Sequence, residues 1–143
     1  MSGDSCIFCQ IVAGEAEASL VAENDLCLAF LTIGPFNTGH TLVVPRRHAA
    51  TFTNLTPEEA SALIQLSQRV AQALQQSELP CEGFNLWMAN GKAAFQDVFH
   101  AHMHVFPRLK DDGFKVEVSW PQPSRAELNG VAAQLRAALE QSA

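Results

Sequence analysis

Apolar residues recur along this chain with two different periods, and each change of period marks an element. From Thr56 the apolar positions Ala60, Leu63, Ile64, Leu66, Val70, Ala71 and Leu74 fall at three- and four-residue steps to about Ser77, leaving Gln65, Gln68, Arg69, Gln72 and Gln75 on the opposite face. That is the stripe of a helix packed on a core. Thr56, Pro57 and Glu59 mark its start: an N-cap threonine, proline at the first position and glutamate three after the cap. Leu128, Val131, Ala132, Leu135 and Leu139 repeat the pattern behind Ser124 and Glu127, so an amphipathic helix over about 124–142 ends the chain. Ile7, Phe8, Ile11 and Val12 give a short, lid-like helix near the start, stopped by Gly14.

Between the helices the runs are short and β-branched or alternating. Residues 20–22 and 26–31, split by Asn24-Asp25, predict a hairpin. The breaker-rich 34–39 segment delivers the chain through His40 into a strand at 41–44, stopped by Pro45. Residues 84–89, the turn signal Asn90-Gly91 and a strand over 98–106 closed by Pro107 predict a further pair, and 114–119 reads as one short strand more. The 98–106 run carries three of the chain's five histidines at alternate positions. On a strand His100, His102 and His104 share one face, with Phe99, Ala101, Met103 and Val105 on the other.

Composition narrows the function classes. A chain of 143 residues that is 48% hydrophobic and 17% charged fits one globular domain and excludes disorder. A net charge of −6 without a basic run argues against nonspecific nucleic-acid binding, while leaving room for a small phosphate ligand. No apolar run approaches the ~18 residues of a membrane helix. The start Met1-Ser2-Gly3-Asp4-Ser5 lacks the basic and apolar regions of a secretory signal, which leads to the expectation of a cytoplasmic protein. Four cysteines in such a chain are then reduced thiols or metal ligands, and only Cys6 and Cys9 are close in sequence.

Three imidazoles on one face admit two chemistries. Neutral imidazoles suit Zn²⁺, Cu or Ni, so a metal-dependent hydrolase is one reading. The other is nucleophilic: an imidazole near neutral pH attacks phosphorus, forms a phosphoramidate and leaves water to cleave it.

His100-Ala101-His102-Met103-His104-Val105-Phe106 resembles the His-φ-His-φ-His-φ-φ signature of the histidine triad (HIT) family of nucleotide hydrolases and transferases. Cys6-Ile7-Phe8-Cys9, Cys27-Leu28-Ala29-Phe30, Gly39-His40-Thr41-Leu42-Val43-Val44-Pro45-Arg46-Arg47-His48 and Phe84-Asn85-Leu86-Trp87 resemble its other landmarks in order, over residues 5 to about 118. The resemblance implies one α+β HIT domain, an antiparallel sheet of about five strands with packed helices, and a homodimer. It implies that His102 attacks the α-phosphate of a dinucleoside polyphosphate or nucleoside phosphoramidate, that His104 and His40 contact phosphate and assist departure, and that the main chain of His100 orients the nucleophile. It also implies an apolar nucleoside pocket from Ile7, Phe8, Ile11 and Phe30, phosphate contacts from Asn90 and Gln96, and a structural zinc held by Cys6, Cys9, His48 and His100. The run 104–108 resembles the dinucleoside-polyphosphate hydrolases more than the glycine-richer Hint branch. Two positions depart from the pattern: Thr32 stands where relatives carry an acidic ribose ligand, and Asp97 where they carry Ser or Thr. These departures leave a nucleotide-binding or scaffold protein with little turnover as the alternative.

Overall fold

Strands β1 (Leu20–Glu23), β2 (Cys27–Leu31), β3 (Thr41–Pro45), β4 (Gly83–Trp87) and β5 (Met103–Arg108) form one antiparallel sheet in the order β1-β2-β3-β5-β4. The computed structural model describes residues 5–142; the segment read above for its lack of a secretory signal lies outside these at residues 1–4, as does Ala143. Helix α1 (Ile7–Val12) covers one face of the sheet and α2 (Pro57–Gln76) the other, while α3 (Arg125–Ser142) ends the chain.

Strand alternation sorts the core into two layers. Cys27, Ala29, Val43 and Val105 point to α2 and meet Leu63, Leu66, Val70 and Leu74. Leu28, Phe30, Leu42 and Val44 point the other way and meet Phe8 of α1. Because both faces are covered, β2 and β3 read as near-continuous apolar runs rather than alternating ones. The start of α2 has the anticipated capping box: Thr56 Oγ1 accepts from the Glu59 N–H, and the Glu59 carboxylate accepts from the Thr56 N–H. The predicted outward glutamines of α2 are exposed, and Ile64 joins them at 48% exposure instead of facing the core.

Three expectations need correction. The strand of the histidines begins only at Met103, so His100 and His102 lie in irregular chain before it. The register pairs Thr41 with Val105, Leu42 with His104 and Val43 with Met103, so two further steps would bring Pro45 opposite Ala101. Proline has no N–H to offer the ladder, and the chain diverges there. Phe99, predicted to face the core, is 38% exposed as a result. Residues 114–119 form no strand: the Asp112 carboxylate accepts from the Leu109 and Phe114 N–H groups and holds the chain in a turn instead. Finally, α3 is capped by Ser124 as anticipated, but its apolar stripe Leu128, Val131, Leu135 and Leu139 is 41–68% exposed rather than packed on the sheet.

Candidate active site and metal centre

The turn into β3 and the start of β5 bring four imidazoles to one end of the sheet, and their hydrogen bonds determine where each proton sits. His102 Nδ1–H donates to the His100 carbonyl at 2.8 Å, which leaves the Nε2 lone pair unprotonated. The buried ring is held edge-on by Phe8 at 5.1 Å. On the neighbouring strand, His40 Nδ1 accepts from the Phe36 N–H at 3.1 Å, so its proton must be on Nε2. That Nε2–H donates to His104 Nδ1 at 2.9 Å, and His104 in turn keeps its proton on Nε2. The result is a His102 nitrogen without a proton beside a His104 nitrogen that carries one. Burial pushes His40 down to about 4; burial, with His102 and His40 nearby, takes His104 to about 4 as well. Both rings are neutral at pH 7.

His100 turns away from this pair. Its Nε2–H donates to the Pro45 carbonyl at 2.8 Å, so Nδ1 presents a lone pair 3.4 Å from Cys6 Sγ and 3.5 Å from Cys9 Sγ. His48 Nδ1 lies 3.3 Å from Cys9 Sγ, and the four donor atoms are all within 4.8 Å of one another. A tetrahedral zinc with ordinary Zn–S and Zn–N bonds spans sulfur–nitrogen edges of about 3.6 Å, so the set fits the ion in element, count and spacing. The Pro45 carbonyl supplies the outer partner that fixes a ligating histidine's tautomer. Burial and the neighbouring Cys6 raise the Cys9 thiol to about 11, an effect that a cation among these donors reverses. Arg47 steadies the loop before His48 through a two-pronged contact with Glu59, at 2.7 and 3.0 Å. The same guanidinium, aided by the Thr56 N–H, holds the Glu59 carboxyl down to about 2.

Phe8, Phe30 and Ile11 come together, with Phe8 against His102 and edge to face with Phe30 at 5.5 Å, whereas Ile7 is 46% exposed. Thr32 is half-buried and its hydroxyl accepts from the Gly34 N–H. Asn90 is exposed and accepts from the Phe52 N–H, while Gln96 is buried and clamps its loop: its amide donates to the Ala50 and Val98 carbonyls and accepts from the Gly91 N–H. Asp97 places Oδ1 3.5 Å from His102 Nε2.

Sequence reasoning passed over the frame around His40. Phe36 stacks on the His40 ring at 5.1 Å and touches Phe106 and Phe114. Asn37 bonds the Pro107 carbonyl and Asp112, whose carboxylate also takes Arg108, and that guanidinium keeps Asp112 well below the usual carboxylate range. The one available signal was an aromatic and an asparagine inside a breaker-rich run, which reads as loop.

A Streptococcus mutans protein, SMU.412c, has a crystal structure that superposes with a TM-score of 0.89 at 35% identity, covering 96% of this chain and 87% of that one. A zinc-bound histidine triad family protein from Mycobacterium smegmatis superposes with a TM-score of 0.75 at 39% identity, covering 96% and 99%. The adenosine 5′-monophosphoramidase hnt1 of Schizosaccharomyces pombe is 38% identical over 117 residues, 82% of this chain and 84% of the relative. The HIT domain family model matches residues 13–111, and with the fold, the triad and these relatives in agreement the chain belongs to the HIT domain family.

Proposed function

We propose that this chain hydrolyses a nucleotide conjugate, a dinucleoside polyphosphate or a nucleoside phosphoramidate, at the α-phosphate through a nucleotidyl-histidine intermediate. The observation that carries this reading is the bond from His102 Nδ1–H to the His100 carbonyl, because it fixes the tautomer with a free Nε2 lone pair. That lone pair forms a bond to phosphorus as the bond to the leaving group breaks. The departing atom keeps the electron pair and takes a proton from water, while His104 Nε2–H, oriented by His40, donates a hydrogen bond to it. Water then cleaves the His102–phosphorus bond, giving a nucleoside monophosphate and restoring the ring. Phe8, Phe30 and Ile11, with Ile7 at the rim, form an apolar wall for the nucleoside, and Thr32, Asn90 and Gln96 line or brace the approach.

Cys6, Cys9, His48 and His100 would hold a structural Zn²⁺; bound there, the ion ties α1 and the His48 loop to the His100 segment and supplies no open position for substrate. The exposed stripe of α3, and Phe84 and Leu86 on the edge strand β4, support a homodimer. No helix among the described residues is long and apolar enough to cross a membrane. The four free thiols fit a reducing compartment, the cytoplasm.

Incubation with α-³²P-labelled nucleotide conjugate and rapid acid-free quenching tests the mechanism. Label should appear on the wild-type chain and be absent from a folded His102→Ala variant. Bound nucleotide with no covalent label and no release of monophosphate overturns the hydrolase and leaves a nucleotide-binding protein.

A further inference from the structure

Among the described residues Asp97 is the one carboxylate that reaches the proposed nucleophile, with Oδ1 3.5 Å from His102 Nε2. Its side chain is 78% exposed, yet its aim is built in. Gln96, the preceding residue, is locked between Ala50, Gly91 and Val98, and Asp97 Oδ1 itself accepts from the Val98 N–H at 2.8 Å. Beyond it opens a cleft of about 590 Å³ whose wall includes Trp87, Phe95, His104 and Phe114. Its charged groups are Asp97, Glu117 and Lys115, an excess of one negative charge. This cleft holds no basic cluster for a chain of phosphates.

We propose that Asp97 selects the leaving group: an amine is favoured and a polyphosphate is rejected. The inference rests on the hydrolase reading above, since it concerns which conjugates that reaction accepts. The α-phosphate is common to both substrate classes, so its repulsion by Asp97 cancels from the comparison. What differs is the group that departs. An amine leaves with the electron pair of the broken P–N bond and takes up two protons from solvent, one to become neutral and a second to become ammonium, so it departs as a cation. A nucleoside polyphosphate leaves with the pair of a P–O bond and adds negative charge to several already present. A fixed carboxylate beside the reacting nitrogen lowers the barrier of the first and raises that of the second. This runs against the resemblance of the 104–108 run to dinucleoside-polyphosphate hydrolases, and the ratio of rates decides between them.

The test compares kcat/KM for adenosine 5′-phosphoramidate and for diadenosine tetraphosphate in the wild-type chain, Asp97→Asn and Asp97→Ser, each checked for an unchanged melting temperature. The wild type should prefer the amidate. Both variants should shift the ratio toward the tetraphosphate on the order of tenfold at low salt, and the shift should shrink as ionic strength rises. A ratio that does not move, or that moves equally at low and high salt, overturns the assignment. A wild-type chain that cleaves neither substrate refutes the hydrolase and not the selection. Selection is then read from the Kd values of adenosine monophosphate and adenosine 5′-tetraphosphate, whose ratio Asp97→Asn should move by the same factor, and an unmoved ratio refutes it.

Discussion

Gly39 is the residue on which the position of His40 turns, and Gly39→Ala is the substitution that exposes it. The backbone there has φ of +103°, a value that L side chains rarely adopt, and a Cβ would come within 2.9 Å of Leu74 Cδ2 and 3.1 Å of Leu79 Cδ1. Two costs therefore add: about 1–2 kcal/mol for the conformation and about 1–3 kcal/mol for overpacking a side chain against the end of α2. The sum, about 2–5 kcal/mol, corresponds to a melting temperature lower by roughly 6–15 °C for a domain of this size. Gly14, which follows the end of α1 with φ of +76° and nothing within 4 Å of its Cβ position, isolates the first cost. Gly14→Ala should lose only about 1–2 kcal/mol. Thermal and urea melts of the two variants side by side give the difference. Phosphoramidate turnover provides a second readout, since relief of the clash moves His40 and with it the proton on His104, while the His102–His100 bond is untouched. Equal destabilisation of the two variants would falsify the steric reasoning.

Acid should weaken the fold over a defined window. Folded His40 and His104 titrate near 4 against an ordinary 6.5, so between these values the unfolded chain binds more protons. Stability from this source is complete above pH 6.5 and is lost as pH falls through 4, a few kcal/mol in all. Urea midpoints from pH 4 to 7.5 should show the slope, and His40→Asn/His104→Asn should flatten it; the same slope in both proteins excludes these rings as its source. Purified protein should contain one zinc per chain by elemental analysis, and Cys9→Ser should contain none and melt lower. Metal-free wild type whose melting temperature ignores added zinc counts against the site. Glu59→Gln removes the charge that holds Arg47 and should cost about 1–2 kcal/mol in urea melts, with a loss under a few tenths contradicting the role given to the pair.

The parts that local chemistry determines were readable before the structure. The capping box at Thr56, the stripe of α2 and the two strands around Asn24-Asp25 depend on near neighbours in the chain, and all appear. The exceptions arise from contacts that sequence does not display. Pro45 was read correctly as a stop for its own strand, but its effect on the partner strand, which frees His100 and His102 from the ladder, depends on a register of residues about 60 apart. Residues 114–119 have strand composition, yet Asp112 and Arg108 bind the start of that run into a turn. Asp97 was legible as a departure from the family pattern, whereas its aim at His102 came only from the locked loop around Gln96.

His100 joins the two halves of the site, and the order of the backbone explains why one residue can serve both. Its ring nitrogen Nδ1 faces the cysteines while its own carbonyl accepts the proton of His102, two residues on. Had the strand continued through residue 100, that carbonyl would have been oriented by the ladder and the ring would have stood beside His102, giving three equivalent imidazoles. Divergence at Pro45 instead turns the ring into the Cys6–Cys9 corner, where three side chains and the Pro45 carbonyl hold it. A buried ring restrained on both nitrogens leaves its main chain little freedom, so the carbonyl that selects the His102 tautomer is positioned by the cluster beneath it. In the proposed reaction the cluster therefore acts through backbone geometry, without contributing an atom that touches phosphate.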